Sequence, residues 1–143
     1  MRRNVLLLII SSVMLILFGC ASAPVSFTTT QTSSWSAVEI RKDVDYNRAW
    51  NTAYELLVKN FDIEAANRED GYIRTAWLYT WSGEYLSAYR VRLTVKFSPD
   101  RANLQFRPEA QFRSGENWLV GTDTRLVSTI KTDLMGTVGR TTR

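Results

Sequence analysis

The chain has 143 residues, five tryptophans and 45% hydrophobic residues, enough apolar side chains for one folded domain. Its net charge of +4 includes Arg2 and Arg3; without them, 16 basic residues stand against 14 acidic ones, too small a surplus to predict a nucleic-acid partner. One cysteine and no histidine exclude an internal disulfide and a Cys- or His-based metal site, and remove the commonest general base. We therefore expect no metal, no cofactor and no enzymatic activity.

The N-terminus has the pattern of a secretory signal. Arg2 and Arg3 precede an apolar stretch from Val5 to Phe18. That stretch is shorter than the roughly 20 residues of a membrane span, and it has the length of the hydrophobic region of a signal peptide. We predict that residues 1–19 are a signal peptide.

The apolar stretch ends in Leu17-Phe18-Gly19-Cys20, which resembles the lipobox of bacterial lipoproteins. The resemblance implies cleavage before Cys20, a diacylglycerol on its sulfur and an acyl chain, typically palmitate, on its new amino group. Two or three acyl chains hold a protein stably on a bilayer. Because Ala21 stands where an aspartate would indicate inner-membrane retention, we expect anchoring in the outer membrane, facing the periplasm, before the inner membrane or the cell surface. The alternative is an ordinary secretory signal with an incidental cysteine.

The segment after Cys20 is rich in Ser and Thr and carries almost no charge. We predict that residues 20–36 are the lipidated N-terminus and a flexible tether, in which Phe27 is incidental and Trp35 begins the fold. Residues 37–139 are predicted to be one domain, and residues 140–143 a short tail.

The first elements of the domain are a strand and a helix. Alternation from Trp35 to Arg41 predicts a strand that buries Val38 and Ile40. Asp43 or Asp45 can then cap an amphipathic helix that runs to about Asn60.

Four further strands are predicted. The segment from Phe61 to Ala65 alternates into a turn that ends in Asp70-Gly71, and Tyr72 to Thr80 is the return strand. The segment from Tyr89 to Ser98 shows the clearest two-residue periodicity, and Leu104 to Phe112 alternates back. Pro108 has no backbone donor, so we expect this last strand to lie at a sheet edge or to end in a bulge.

A loop is predicted from Gly115 to Gly121, followed by a helix that Thr122 or Asp123 caps and Gly139 ends. The element order is β-α-β-β-β-β-α. It predicts an α+β fold in which one antiparallel sheet of about five strands is covered by two amphipathic helices.

This order, with Ala49-Trp50 in the first helix and the run from Asp70 to Trp77 after it, resembles the helix-grip domains of BamC-type lipoproteins. The resemblance covers residues 37–139. It implies an accessory role in the machinery that inserts β-barrels into the outer membrane. This chain has room for one such domain, where members of that family carry two, and its N-terminal segment is shorter than theirs.

Two sets of residues are candidates for binding. The first is a basic stripe on the polar face of the long hairpin, which only Glu109 offsets, and it consists of Arg90, Arg92, Lys96, Arg107 and Arg113. Anionic lipid headgroups, lipopolysaccharide phosphates or an acidic protein surface would suit it. An ordinary solvated sheet face is the simpler interpretation.

The second set is the aromatic residues Trp77, Tyr79, Trp81, Tyr85, Tyr89 and Trp118. Most of these are expected in the core, whereas Trp81, Tyr85 and Trp118 fall in predicted loops and are candidate exposed contacts.

Glu64, Glu69 and Asp70 lie around a tight turn, where turn geometry is a simpler role than acid–base chemistry.

The sequence thus favours a membrane-anchored, non-catalytic module that binds an envelope protein during cell-envelope assembly or maintenance. The alternative is a module that binds lipid or a small apolar ligand in a cleft between sheet and helix. A hydrolase that uses carboxylates is the least favoured. A closed cavity lined by the aromatics would favour the alternative, and a well-packed core with an exposed aromatic or basic patch would favour the first.

Overall fold

The computed structural model describes residues 22–81 and 84–140. The predicted signal peptide, the lipobox Leu17, Phe18 and Gly19, the lipidation site Cys20 and the end of the tail lie outside the described residues. The two helices are α1 (Tyr46–Val58) and α2 (Thr124–Thr137). The strands are β1 (Phe27–Thr29), β2 (Ser36–Glu39), β3 (Ile63–Asn67), β4 (Tyr72–Thr75), β5 (Thr80–Trp81), β6 (Glu84–Tyr85), β7 (Tyr89–Phe97), β8 (Asn103–Ser114) and β9 (Asn117–Asp123).

One antiparallel sheet of seven strands forms the centre of the domain, in the order β1-β9-β8-β7-β4-β3. The seventh strand, β2, pairs with β8 near the start of β8, whereas β9 pairs with its end. The α+β class, the antiparallel sheet and the two helices are confirmed, but the sheet is larger than the predicted five strands. Strands β5 and β6 form a separate two-stranded hairpin.

Both helices cover one face of the sheet, which we call the inner face. The alternation of β7 places Val91, Leu93 and Val95 on this face, each at most 1% exposed. Leu57 of α1 and Ile130 of α2 pack against it and are equally buried. In the part of the chain that the structure describes, neither helix is long and apolar enough to cross a membrane.

Both predicted helix caps are present. The side chain of Asp45 accepts a hydrogen bond from the Arg48 amide at 2.9 Å, and that of Asp123 accepts one from the Leu126 amide at 2.9 Å. The predicted turn at Gly71 is also present, and Gly71 has a φ of +68° that favours glycine. The return strand, however, ends at Thr75 rather than at Thr80.

The edge position predicted for the strand of Pro108 is wrong. β8 has β7 on one side, and β2 and β9 on the other. Pro108 lies opposite Leu93, whose amide donates away from β8 to the Thr75 hydroxyl at 2.9 Å. The nitrogen of Pro108 therefore faces the flank of β8 that β2 and β9 share. Pro108 lies between the part of β8 that pairs with β2 and the part that pairs with β9. No neighbouring strand therefore needs a backbone N–H donor at this position.

Two segments that we predicted to be irregular are strands. The expected loop from Gly115 to Gly121 is mostly β9, joined to β8 by a tight turn at Gly115 and Glu116. The expected tether contains β1, which pairs with the end of β9. Phe27 is not incidental, because its ring contacts the rings of Tyr89 and Phe112, with centroids 5.9 and 6.2 Å away.

Candidate binding face

The candidate basic residues lie on the face of the sheet opposite the helices, which we call the outer face. On β7 the residues that alternate with the core residues are Arg90, Arg92, Thr94 and Lys96. Their cross-strand neighbours on β8 are Gln111, Glu109, Arg107 and Gln105, in that order. The long hairpin therefore sets cations beside polar groups on one surface.

Arg90 is held between two tryptophan rings. The carbon centre of its guanidinium lies 4.5 Å from the ring centroid of Trp77 and 4.1 Å from that of Trp118. Its Nε and Nη2 donate to the Gln111 side-chain oxygen at 2.9 and 2.6 Å, and its Nη1 donates to the Tyr79 hydroxyl at 3.3 Å. Each such ring contact contributes roughly 0.5–2 kcal/mol, more where water is excluded. The guanidinium plane is therefore fixed in orientation.

Arg92 continues the array beside Arg90. The carbon centre of its guanidinium lies 4.3 Å from the ring centroid of Trp77, and the guanidinium donates two hydrogen bonds to Glu109, at 2.8 and 3.3 Å. The side chains of this pair are 16% and 20% exposed, so water screens their attraction only in part. Glu109 thus holds Arg92 in a bidentate pair.

Arg107 and Lys96 form the other end of the array around Trp35. Their charged groups lie 4.9 and 5.3 Å from the Trp35 ring centroid, and Lys96 also lies 5.9 Å from that of Tyr72. The weak ion pair of Arg107 with Glu109 is 3.9 Å long. The buried Nε of Arg107 has no hydrogen-bond partner among the described residues.

The face has more positive charge than its own carboxylates neutralise. Within the described part of the chain, Arg90, Lys96 and Arg113 form no salt bridge, and Arg92 and Arg107 share Glu109. The structure brings all five predicted basic residues together on one surface. Tryptophan rings lie among the cations on that surface.

The predicted aromatic contacts have different outcomes. Trp118 is not in a loop: it lies on β9, is half-buried, and contacts both Arg90 and Arg113, the latter at 5.8 Å. Trp81 and Tyr85 lie on β5 and β6, and their side chains are outside the described part of the structure. Trp35 and Tyr72 were not predicted to belong to this face. Their place on it depends on the pairing of β2 and β4 with the hairpin, which a single-strand pattern does not reveal.

Two of the three carboxylates considered for acid–base chemistry, Glu64 and Asp70, have structural partners. Glu64 pairs with Arg74 at 3.0 Å, and Asp70 accepts a hydrogen bond from the Asn67 side chain within the β3–β4 turn. Among residues 22–81 and 84–140, no group of three potential metal ligands is close enough to hold an ion.

A buried carboxylate that the sequence identified only as a helix cap has a second role. Asp123 is fully buried and accepts hydrogen bonds from the hydroxyls of Tyr89 and, at 2.8 Å, Ser26. Burial, and then the hydrogen bond and negative charge of Asp123, raise the pKa of the Tyr89 hydroxyl well above its usual value. Ser26 thus fastens the segment before β1 to the inner face.

In comparisons with known proteins, no protein-family model and no curated protein sequence matches this chain.

Proposed function

We propose that this chain is a lipid-anchored, non-catalytic module that binds an envelope protein through the outer face of its sheet. The anchor would be the acyl chains on Cys20, and the module would act at the periplasmic side of the outer membrane, in cell-envelope assembly or maintenance. The resemblance to BamC-type lipoproteins stays a prediction. The observation that carries the proposal is the fixed array of cations and tryptophans on the outer face.

The composition of the array fits a protein partner. Arginine and tryptophan are the residues that most often dominate the energy of protein interfaces. Arg90 and Arg92 are already held by rings and hydrogen bonds, so a partner would not have to pay the entropy of ordering them. The uncompensated positive charge favours an acidic partner surface, since a basic one would be repelled.

A small apolar ligand between helices and sheet is the less favoured alternative. Side chains pack closely in that space, and Leu57, Leu93, Phe106, Leu126 and Ile130 are each at most 1% exposed. A buried ligand of ordinary size needs a cavity of several hundred Å³, which these side chains would have to vacate, and the cleft of that size where Asp123 meets α2 is open to solvent.

Site-specific photo-crosslinking in cells tests the protein partner. A photoreactive residue at Gln105 or Val120, both exposed on the outer face, should give an adduct with one envelope protein. The same residue at Ser128, exposed on α2, is the matched control on the helical side and should not give that adduct. Adducts with lipid alone from the outer face, or equal protein adducts from Ser128, would overturn the proposal.

The array itself is tested by Arg90→Ala in the same assay. Loss of a cation held between two rings should lower the yield of the adduct about tenfold or more, the equivalent of at least about 1.4 kcal/mol of binding energy. Arg48→Ala removes an exposed arginine from α1 and should leave the yield unchanged. Equal yields from the two variants would show that the array does not bind the partner.

A further inference from the structure

The segment that leads to the predicted anchor is part of the folded domain. Ala23 and Phe27 pack against the core, and the Phe27 amide donates to the Pro24 carbonyl at 2.9 Å, which closes a tight turn. The Ser26 carbonyl accepts a hydrogen bond from the Thr124 amide at 2.9 Å, in addition to the contact of its hydroxyl with Asp123. The turn is therefore fastened to the start of α2.

This fastened turn presents an apolar side chain to the outside. Val25 is at its tip and is as exposed as in an extended chain, at 105%. Ala23, Pro24, Val25, Leu86 and Arg125 line an open cleft of about 620 Å³ beside it. We call these five residues the anchor corner. An ordered turn that holds a valine fully in water loses the stabilisation that burial of its side chain would give.

The anchor corner lies very close to Cys20 along the chain. Only Ala21 separates Cys20 from Ser22, which lines the same cleft. Two residues of fully extended chain span at most about 7 Å. If Cys20 carries acyl chains, the corner therefore cannot lie more than a short distance from the headgroups.

We propose that the anchor corner lies on the surface of the bilayer that holds the acyl chains of Cys20. Val25 enters the interfacial region, and Arg125, an exposed cation at the start of α2, contacts anionic headgroups. The cleft is also lined by Tyr89 and Asp123, which lie on the inner face of the sheet. The outer face therefore points away from the anchor corner. This inference rests on the proposed lipidation, and it adds a fixed orientation of the domain.

Fluorescence of labelled, lipidated protein tests the orientation. Because acylation blocks the thiol of Cys20, an environment-sensitive label reacts only with the cysteine of Val25→Cys. The matched control is Val58→Cys: Val58 is 44% exposed at the end of α1. Its neighbour Lys59 lines a cleft with Gly136, at the far end of α2 from Arg125. A helix of that length spans about 20 Å, so the control label is well away from the anchor corner.

The labelled proteins are reconstituted in vesicles of phosphatidylethanolamine and phosphatidylglycerol, with and without brominated acyl chains. Quenching by bromine should be several times stronger for the label at position 25 than for that at position 58. An aqueous quencher should show the opposite order. Equal accessibility of the two labels in acylated, vesicle-bound protein would overturn the orientation while leaving the proposed function intact. Absence of an acyl chain on Cys20, read by mass spectrometry, would overturn both.

Discussion

Asp123 illustrates how one buried carboxylate can connect three parts of a chain. It caps α2, accepts a hydrogen bond from the Tyr89 hydroxyl on β7, and accepts another from Ser26 before β1. A carboxylate without these donors would be costly to bury, so the three contacts depend on one another. Among Asp123, Tyr89 and Ser26, the group with a raised pKa is the Tyr89 hydroxyl, so its ionisation offers a test of these contacts.

Alkaline pH should weaken the domain through Tyr89. Its pKa is raised in the folded state by burial and by Asp123, so the neutral hydroxyl is favoured there relative to the unfolded chain, where the pKa is about 10. The stabilisation is complete below about pH 10 and is lost as the pH rises above it toward the folded value. We expect the free energy of unfolding, measured with urea, to fall over this range.

The variant Tyr89→Phe removes the titrating hydroxyl and one donor to Asp123. It should lower the free energy of unfolding at neutral pH by about 1–3 kcal/mol and should show a smaller alkaline decrease than the wild type. Tyr54→Phe, which leaves Tyr89 and Asp123 in place, is the control. An unchanged alkaline decrease in Tyr89→Phe would contradict the assignment to this residue.

At the scale of elements, the sequence predicts those whose side chains repeat regularly. β7 and both helices have such a pattern, and each is present near its predicted bounds. β9 was missed because Trp118 and Val120 on one face alternate with Leu119 on the other, so both faces are apolar and no two-residue period is visible. β1 has only three residues, too few for a period, and it exists because β9 offers it an edge.

Gly121 is the residue on β9 that lets β1 dock. A Cβ atom at this position would lie 2.4 Å from the Thr28 carbonyl oxygen and 2.5 Å from the Phe27 ring. Gly121→Ala should therefore displace β1 and cost about 1–3 kcal/mol of stability. Limited proteolysis should show faster cleavage between residues 27 and 35.

Gly136→Ala is the matched control, because nothing lies within 4 Å of the added carbon and alanine is the better helix former. It should keep the wild-type cleavage pattern and leave the domain as stable or slightly more stable. Wild-type protease resistance in Gly121→Ala would mean that β1 tolerates the extra carbon.

For the whole molecule, sequence reasoning located the basic residues of the outer face but not the array that they form. The positions of Arg90 and Arg92 follow from alternation within one strand. The stacking of Arg90 between Trp77 and Trp118 depends on segments that are far apart in the chain and adjacent only in the folded sheet. Local periodicity contains no information on such a juxtaposition.

The anchor and the domain should be separable. Cys20→Ser removes the thiol that acylation requires, so the protein should move from the membrane fraction to the soluble periplasmic fraction. Its thermal unfolding midpoint should match that of unacylated protein that keeps the cysteine, since the substitution leaves every residue of the described core unchanged. Continued sedimentation of Cys20→Ser with membranes would contradict acyl anchoring.

The three-residue pairing of β1 at the sheet edge has a mechanical consequence. Tension between the membrane and a partner on the outer face would enter the domain at Ser26 and β1, and it would peel β1 away before it reached the other strands. Peeling releases the chain as far as β2, about 14 residues, or roughly 45 Å of extended length. Release of β1 would lengthen the connection between the membrane and the domain. The domain could then follow a partner that moves away while its core stays folded.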